Sequence, residues 1–307
     1  MIKLLNKIIK MSRLDENFPN KLKTIKPCVN TLYAIGNTDL LDKKTVAIVG
    51  SRNCSEYGIK MAKKITEELI AHKIVVVSGL ANGIDTVAHK TCVEHKKENI
   101  AVLGSGFNKI YPKENTDLFK EILEENGLIL SEYSPEEQVQ KKNFPKRNRI
   151  ISALADAVLI VEGAYRSGTS ITAKYAVLQG KKLFYVPNCI GNKNSFECIK
   201  LAKEGATIAT CGADILNEIG IHAESTYKNK LHTKKNLFYD IVNSVDQKSK
   251  KIITLLMEQT CIDSNQISLE TNINIADVNQ VLTNLELKKI VKVVGYSKYQ
   301  INEEFCE

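Results

Sequence analysis

Short apolar runs rich in β-branched residues recur at regular intervals along the first two thirds of the chain. There are six of them: VAIVG (46–50), IVVVSG (74–79), NIAVLG (99–104), LILSEY (128–133), AVLIVEG (157–163) and KLFYVP (182–187). Segments with helical periodicity separate most of them, for example residues 57–72 and 170–180. Strands that are apolar on both faces and alternate with helices are typical of a parallel sheet covered on both sides. The pattern therefore predicts a doubly wound α/β domain over residues 41–220.

Small or polar residues end nearly every apolar run. They are Gly50, Gly79, Gly104, Gly163 and Pro187. In open parallel sheets the ligand crevice lies outside the carboxyl ends of the strands. Small residues at these ends let a ligand approach the backbone and the N-termini of the following helices. We therefore expect the binding face at this edge of the sheet.

Both ends of the chain depart from this alternation. Residues 1–40 are predicted to be an N-terminal extension that packs on the core, and the apolar and lysine spacing of residues 1–11 favours a short amphipathic helix. Residues 221–247 are polar and lysine-rich, which is typical of a linker. Residues 248–307 contain three short helical patterns and then a hairpin pattern around Gly295-Tyr296-Ser297. Three helices and a hairpin predict a winged helix.

Composition adds a preference for anionic partners. The formal net charge is +8 and the isoelectric point is near 8.9, which favours nucleic acid or an acidic surface. The eight cysteines occur singly, without metal-ligand spacing, so we expect reduced thiols in a cytoplasmic protein and no metal site. Apolar runs are too short to span a bilayer, and no membrane association is expected.

Two of the strand ends carry candidate anion-binding groups. Gly50-Ser51-Arg52 ends the first run, and backbone amides beside an arginine suit a phosphate; an ordinary strand-to-helix turn is the structural alternative. Residues 166–170 combine Arg166 with Ser167, Gly168, Thr169 and Ser170 at the start of a helix, which favours phosphate binding more strongly. The chain has neither a Walker loop nor a G-x-G-x-x-G motif, so no cofactor is predicted.

Two further motifs have mainly structural explanations. Asp85 and His89 are four residues apart in a helical pattern and so share one face. An acid–base or metal pair is one interpretation, but a first-turn carboxylate and a packed histidine is the better one. The third glycine turn, Gly104-Ser105-Gly106, with Tyr111-Pro112 after it, is read as a tight connection.

The segment QKKNFPKRNRIIS (140–152) joins a charge run directly to an apolar run. It places five basic side chains around Phe144-Pro145 with no acid among them, namely Lys141, Lys142, Lys146, Arg147 and Arg149. Sequence-tolerant binding of single-stranded nucleic acid needs cations along the backbone and a flat group for stacking. We interpret the segment as a clamp for a nucleic-acid backbone, with Phe144 as the stacking ring.

In order and spacing, these motifs resemble those of the DNA-processing protein A (Smf) family over roughly residues 18–215. The resemblance is carried by VAIVGSR, SGLANGIDTVAH, AVLGSGFNKIYPKEN, LILSEY, FPKRNRIISALAD and VEGAYRSGTSITAKYA. It implies a Rossmann-like domain that binds single-stranded DNA without ATP, forms a homodimer through that domain and helps to load the RecA recombinase during transformation or recombination. The residues that match the family's binding motifs, or lie beside them, are Gly50, Ser51, Arg52, Lys142, Phe144, Pro145, Lys146, Arg147, Asn148, Arg149, Arg166, Ser167, Gly168, Thr169, Ser170 and Thr172.

Departures from the family pattern concern the periphery of the chain. Few residues precede Phe18-Pro19, so an N-terminal helical domain of many relatives is expected to be missing or vestigial. Where relatives commonly have Val-Pro-Gly followed by a longer loop, this chain has VPNCIGNKNSF (186–196). We call this segment the rim. The third helix of the winged-helix domain begins with Asp277 and has basic residues only at its end. A major-groove reader presents basic or amide groups near that N-terminus, so we expect protein contact or weak nucleic-acid contact here.

An enzymatic alternative on the same fold is a nucleotide N-glycoside hydrolase. Such enzymes resemble this chain in their glycine-threonine phosphate loop but have a glutamate a few residues later, where this chain has Thr172. Glu132 and Glu162, both at strand ends, remain candidates for a carboxylate that reaches the crevice. We favour binding without catalysis. We also expect Arg147→Ala and Arg149→Ala to weaken single-strand binding and flatten its salt dependence while the protein stays folded.

Overall fold

The computed structural model describes residues 8–165, 167–224, 245–259, 261–294 and 298–302. These residues form two units, 8–224 and 245–302, each with its own apolar core. Most of the predicted linker, the predicted turn at 295–297 and Arg166 lie outside the described residues.

The first unit is built on a sheet that has nine strands within residues 8–224. They are β1 (Ile9–Ser12), β2 (Thr31–Gly36), β3 (Thr45–Val49), β4 (Val75–Ser78), β5 (Asn99–Leu103), β6 (Leu128–Ser131), β7 (Ala157–Ile160), β8 (Lys182–Tyr185) and β9 (Thr207–Ile208). Their order is β1-β2-β6-β5-β4-β3-β7-β8-β9. Strands β3 to β9 are parallel, whereas β1 and β2 are antiparallel additions at one edge.

Helices cover both faces of this sheet. They are α1 (Asn20–Lys23), α2 (Glu56–Ala71), α3 (Ile84–Glu94), α4 (Thr116–Glu124), α5 (Asn143–Leu154), α6 (Gly168–Leu178), α7 (Phe196–Lys203) and α8 (Gly212–Glu218). Successive residues of β3 enter opposite cores: Ala47 and Val49 pack with α5 and α6, and Val46 and Ile48 pack with α2 and α3. This alternation is the period of a strand buried on both faces, and it confirms the predicted doubly wound fold.

The sheet reverses its winding at β3. This strand pairs with β4 on one side and with β7 on the other, so the connections after β3 and after β6 lead in opposite directions from the centre. Such a switch point opens a crevice at the carboxyl ends of the two central strands. The crevice therefore lies between the segments that follow β3 and β7.

The N-terminal helix predicted for residues 1–11 is wrong where the chain is described. Residues 9–12 form β1, which pairs with β2 from Ile9 opposite Ala34 to Ser12 opposite Thr31. Met11 is buried and Ile9 is exposed, so the side chains alternate with the period of a strand. Backbone pairing with β2 thus prevails over the helical spacing of the lysines. Phe18 and Leu22, farther along the same extension, are buried in the core.

The second unit contains α9 (Gln247–Glu258), α10 (Ser264–Thr271) and α11 (Ile275–Leu287), which confirm the three predicted helices. Its antiparallel sheet has the order β10-β12-β11, with β10 (Ile262–Asp263), β11 (Val291–Val294) and β12 (Lys298–Ile301). The pair β11–β12 forms the predicted hairpin, and β10 is a short strand that the pattern did not indicate. Among the described residues, no helix is both long and apolar enough to cross a bilayer.

Asp85 and His89 on α3 are both buried, which agrees with their structural interpretation. The Nδ1 atom of His89 lies 2.7 Å from Asn99 Oδ1. Burial lowers the pKa of His89 to about 4, and the positive charge of Arg147 adds to this effect. The imidazole is therefore neutral in the folded protein at neutral pH.

His89 is expected to make the protein less stable in mild acid. In the unfolded chain a histidine binds a proton below about pH 6.5, whereas the folded protein resists protonation of His89 down to about pH 4. The unfolded state thus binds more protons in this window, and stability falls with pH by about 2 kcal/mol at pH 5. Thermal unfolding at pH 7 and pH 5 should show a smaller loss in His89→Gln than in the parent protein.

Comparing how stability depends on pH in the parent and in His89→Gln separates the effect of His89 from that of Asp85. Burial raises the pKa of Asp85, which favours the folded state as the pH falls, and this contribution is present in both proteins. An equal loss of stability in the parent and in His89→Gln would contradict the assignment of the acid sensitivity to His89.

Candidate nucleic-acid interface

A cavity of about 850 Å³ lies at the carboxyl ends of β3 and β7, where the crevice is expected. It is bounded by the segment after β3, the start of α5 and the start of α6. Eleven of the residues that match the family's binding motifs or lie beside them line it: Gly50, Ser51, Arg52, Phe144, Pro145, Arg147, Asn148, Ser167, Gly168, Thr169 and Thr172. Three segments far apart in the chain therefore meet at a common site.

The N-terminal ends of α5 and α6 both border this cavity. Phe144 and Pro145 in the first turn of α5 line it, as do Gly168 and Thr169 in the first turn of α6. Ser167, the N-cap of α6, has a buried Oγ atom without a hydrogen-bond partner among the described residues. A buried hydroxyl is normally hydrogen-bonded, so this one is available to a ligand. Helix N-termini favour an anionic ligand.

Phe144 is the centre of an aromatic and cationic cluster in the cavity wall. The Arg52 guanidinium lies 5.6 Å from the centroid of its ring, and the Tyr111 ring lies 5.4 Å away at 57°. A Cβ atom at Gly104 would lie 2.8 Å from Phe144 Cδ1, so the ring needs a glycine at the end of β5. Phe144 is half-buried and Tyr111 is exposed, which leaves aromatic surface available for stacking.

Exposed cations surround the cavity at three places. Arg52 follows β3, Lys141 precedes α5, and Lys193 lies in the segment after β8. Asp85 also lines the cavity, but it is buried, accepts a hydrogen bond from the Gly79 amide and faces Arg147. The solvent-facing charge of the cavity wall is therefore positive.

Arg147, which was expected to clamp the nucleic-acid backbone, lines the cavity from a buried position. It is 3% exposed and donates hydrogen bonds to the carbonyls of Gly79 and Val102 and, over 3.1 Å, to Asn148 Oδ1. Burial lowers its pKa to about 10, and the nearby Asp85 opposes this shift. Arg147 thus joins α5 to the ends of β4 and β5, while Asn148 donates to the Gly168 carbonyl over 3.1 Å. Together they fix α5 and α6 around the cavity.

Arg149 points away from the cavity, and all of its donors are used. Its guanidinium is 3% exposed and forms two hydrogen bonds with the Glu132 carboxylate, of 2.6 and 2.9 Å. Nε donates to the Pro27 carbonyl, and the remaining donors reach the carbonyls of Cys28 and Lys146. A guanidinium has five N–H donors, so none remains for a phosphate in this arrangement. The expectation that Arg149 contacts a ligand directly is therefore corrected.

Three further residues predicted from the sequence, Lys142, Lys146 and Ser170, are not among the described residues that line the cavity. Lys142 and Lys146 are exposed near the start of α5. Ser170 Oγ donates a 2.5 Å hydrogen bond to Glu197 Oε2. Both lysines add positive charge near the start of α5, and Ser170 ties α6 to α7.

Sequence reasoning did not place Tyr111, Lys141, Lys193 or Asn194 among the site residues, although they line the cavity. In the sequence, Tyr111 belongs to a pattern typical of a tight turn, and Lys141 is one of several neighbouring lysines. Lys193 and Asn194 belong to the rim that departs from the family pattern. Asn194 is held by its side chain, which donates to the Asn53 carbonyl over 2.8 Å and to Glu162 over 3.4 Å.

The two carboxylates considered for hydrolysis both have structural partners. Glu132 is paired with Arg149. Glu162 is buried and accepts hydrogen bonds from the amide and hydroxyl of Ser55, at 2.9 and 2.5 Å, and from Asn188 at 3.2 Å. These contacts tie the start of α2 to the rim that follows β8, so Glu162 shapes the cavity without lining it.

Comparison with known proteins agrees with this architecture. The family model of the DNA recombination-mediator protein A matches residues 10–220. DNA processing protein DprA of Streptococcus pneumoniae is 42% identical over 207 residues, which cover 67% of this chain and 73% of that protein. DprA of Bacillus subtilis is 38% identical over 206 residues, covering 67% and 69%.

Solved structures give the same result. The crystal structure of the Streptococcus pneumoniae protein matches with a TM-score of 0.66 and 40% identity, covering 72% of this chain and 77% of that one. DNA processing protein A from Helicobacter pylori, described for its single-stranded DNA binding mode, matches with a TM-score of 0.62 and 30% identity, covering 69% and 95%. The chain belongs to the DNA recombination-mediator protein A family.

Proposed function

We propose that the chain binds single-stranded DNA, without ATP and without cleaving it, in the cavity between α5 and α6. The observation that carries this proposal is the combination in a single wall of an accessible aromatic ring, exposed cations and helix N-termini. Phe144 offers a stacking surface, Arg52 and Lys141 neutralise phosphates, and Ser167 offers a hydrogen-bond donor. Sequence-tolerant binding of single strands uses this chemistry. The Helicobacter pylori relative, which has a described single-stranded DNA binding mode, supports it.

The predicted site residues divide into contacting and supporting groups under this proposal. Gly50, Ser51, Arg52, Phe144, Ser167, Gly168, Thr169 and Thr172 line the cavity and contact the strand, and Arg166 is proposed to join them. Arg147, Asn148 and Arg149 act by holding α5 in place. Lys142 and Lys146 add positive potential, and Ser170 supports α6.

The cellular role that we propose follows the family. The bound strand is protected in the cytoplasm and handed to the RecA recombinase during transformation or recombination. We also propose a homodimer formed through the first unit. Strand β9 ends the sheet with exposed residues Thr207 and Ile208, and an uncovered edge strand is a surface for pairing with a second copy.

Nucleotide hydrolysis is the competing function. It requires a carboxylate that acts on a sugar held in the cavity. Glu132 and Glu162 are hydrogen-bonded to the protein, and Asp85 faces Arg147. Because these carboxylates already have partners within the protein, binding is favoured over hydrolysis. Hydrolysis would release free base, whereas binding would not.

Labelled oligo(dT), the matching duplex and nucleoside monophosphates provide the test. We expect retention of the single strand, weaker retention of the duplex, and no release of ribose phosphate from the monophosphates. The affinity for oligo(dT) should fall steeply with salt because bound phosphates release counterions. Equal affinity for duplex and single strand would contradict the proposal, and release of free base would replace it with hydrolysis.

A further inference from the structure

A second pair of aromatic side chains lies outside the cavity. Tyr165 and Phe196 meet edge to face, with ring centroids 4.7 Å apart and an interplanar angle of 78°. They are 60% and 43% exposed. Large aromatic side chains gain most of their stabilisation from burial, so a paired and exposed arrangement offers surface to a ligand.

The pair adjoins the cavity. Tyr165 stands between the lining residues Ala164 and Ser167, and Phe196 follows the lining residue Asn194 by two positions. The two residues come after the neighbouring strands β7 and β8, whereas Phe144 rests on Gly104 at the end of β5. Since β5 and β7 are three strand spacings apart, the strand ends next to the two aromatic sites are separated by roughly 15 Å. This distance corresponds to a few nucleotides of a single strand.

Backbone and side-chain hydrogen bonds hold the two segments together. The amide of Glu197 donates to the Gly163 carbonyl, and the amide of Gly163 donates to the Asn194 carbonyl, each over 2.8 Å. The Glu197 carboxylate accepts from Ser170. The rings are thus presented by fixed backbone, so a stacked base would require little ordering of the protein.

The polar surroundings of the pair favour nucleic acid over an apolar protein partner. Lys193 is exposed and lines the cavity, and Ser167 and Gly168 begin α6 two and three residues after Tyr165. Cations beside aromatic faces are what sequence-tolerant binding of single strands uses. We infer that Tyr165 and Phe196 form a second base-stacking site for the strand that leaves the cavity. This inference rests on the proposed function.

A length series of oligo(dT) tests the second site. Short oligonucleotides that fill only the cavity should bind the parent and a Tyr165→Ala/Phe196→Ala variant equally. Longer ones should gain affinity only with the parent, and the variant should bind them roughly 5- to 150-fold more weakly. Abasic nucleotides at the end that reaches the second site should remove this difference.

Two matched substitutions separate stacking from apolar contact. Phe196→Leu keeps the apolar bulk but removes the aromatic ring, so it should behave as Phe196→Ala. Ile190→Ala removes an apolar side chain that is 91% exposed on the same rim and should have no effect. If Phe196→Leu bound long oligonucleotides as tightly as the parent does, the inference would be overturned. It would also be overturned if the Tyr165→Ala/Phe196→Ala variant changed its molar mass by sedimentation and lost the same affinity for oligonucleotides of every length. That result would indicate a protein interface.

The outcome for the cavity distinguishes this inference from the function on which it rests. If Phe144→Ala and Arg52→Ala weaken binding but the Tyr165→Ala/Phe196→Ala variant follows the parent at every length, only the second site is refuted. If the cavity substitutions change nothing, the proposed function itself fails.

Discussion

Replacing Phe144 by alanine is expected to weaken the binding of oligo(dT) roughly 5- to 150-fold while leaving its salt dependence unchanged. The ring sits in the cavity wall beside Arg52 and Tyr111 and carries no charge. Its removal takes away a stacking surface but no phosphate contact. Fluorescence anisotropy of labelled oligo(dT) at several salt concentrations measures both quantities in a single series.

Arg52→Ala is the counterpart that makes this prediction specific. Arg52 is exposed at the cavity, so its loss should weaken binding and reduce the slope of log K against log salt by about 0.7. Lys97 is exposed just before the amino end of β5, whereas the cavity lies at the carboxyl ends of the strands. Lys97→Ala also removes one exposed charge and should leave the affinity for oligo(dT) almost unchanged.

Three results would contradict this account of the cavity. A fall in the salt slope with Phe144→Ala would mean that the ring acts only by positioning Arg52. An equal effect of Lys97→Ala would mean that binding follows net charge and not a site. Unchanged affinity in both cavity variants would remove the site from this part of the molecule. Unfolding temperatures measured in parallel confirm that each variant is folded.

The sequence was sufficient to predict the six parallel strands β3 to β8 and the position of the cavity, but not strands β1, β2 and β9. Buried strands such as β3 and β7 are continuous apolar runs, and the following glycines mark their carboxyl ends. Strand β1 was missed because its pairing with β2 depends on residues about twenty positions away, which local periodicity does not report. The same periodicity of lysines and apolar residues suits a helix when the strand partner is unknown.

The roles of individual basic residues were harder to predict. The segment 140–152 reads as uniformly cationic, yet Lys141 is exposed at the cavity while Arg147 and Arg149 are buried. Arg147 and Arg149 differ from Lys141 because they have partners within the protein. Arg147 donates to carbonyls at the ends of β4 and β5, and Arg149 pairs with the carboxylate that follows β6. A charge in the sequence shows that a partner is needed, but not whether the partner is a phosphate or the protein itself.

This division gives the cavity its geometry. Arg147 fixes α5 against the ends of β4 and β5, and Asn148 fixes α5 to the first turn of α6. Phe144, one turn earlier on α5, therefore occupies a defined position over Gly104. Buried cations position the aromatic ring, and exposed cations are left for the ligand.

Arg149→Ala is accordingly expected to act on stability and not directly on binding. The Arg149–Glu132 pair is largely buried, with side-chain exposures of 3% and 20%, and removal of one partner leaves a buried charge without compensation. Such losses cost about 3 kcal/mol or more. For a unit of this size the unfolding temperature should fall by roughly 6–12 °C. Glu132→Ala should have a similar effect, and protein that remains folded should bind oligo(dT) with the salt slope of the parent.

Replacement of both partners separates a structural pair from a phosphate contact. Because an apolar pair of similar volume can replace a buried ion pair at little cost, Arg149→Met with Glu132→Leu should recover much of the stability lost in either single variant. Lys43→Ala breaks an exposed pair with Glu98, whose side chains are 44% and 32% accessible, and should change stability by less than about 1 kcal/mol. If Arg149→Ala instead left the unfolding temperature unchanged and lowered the salt slope, Arg149 would contact the strand, and its pairing with Glu132 would have to open on binding.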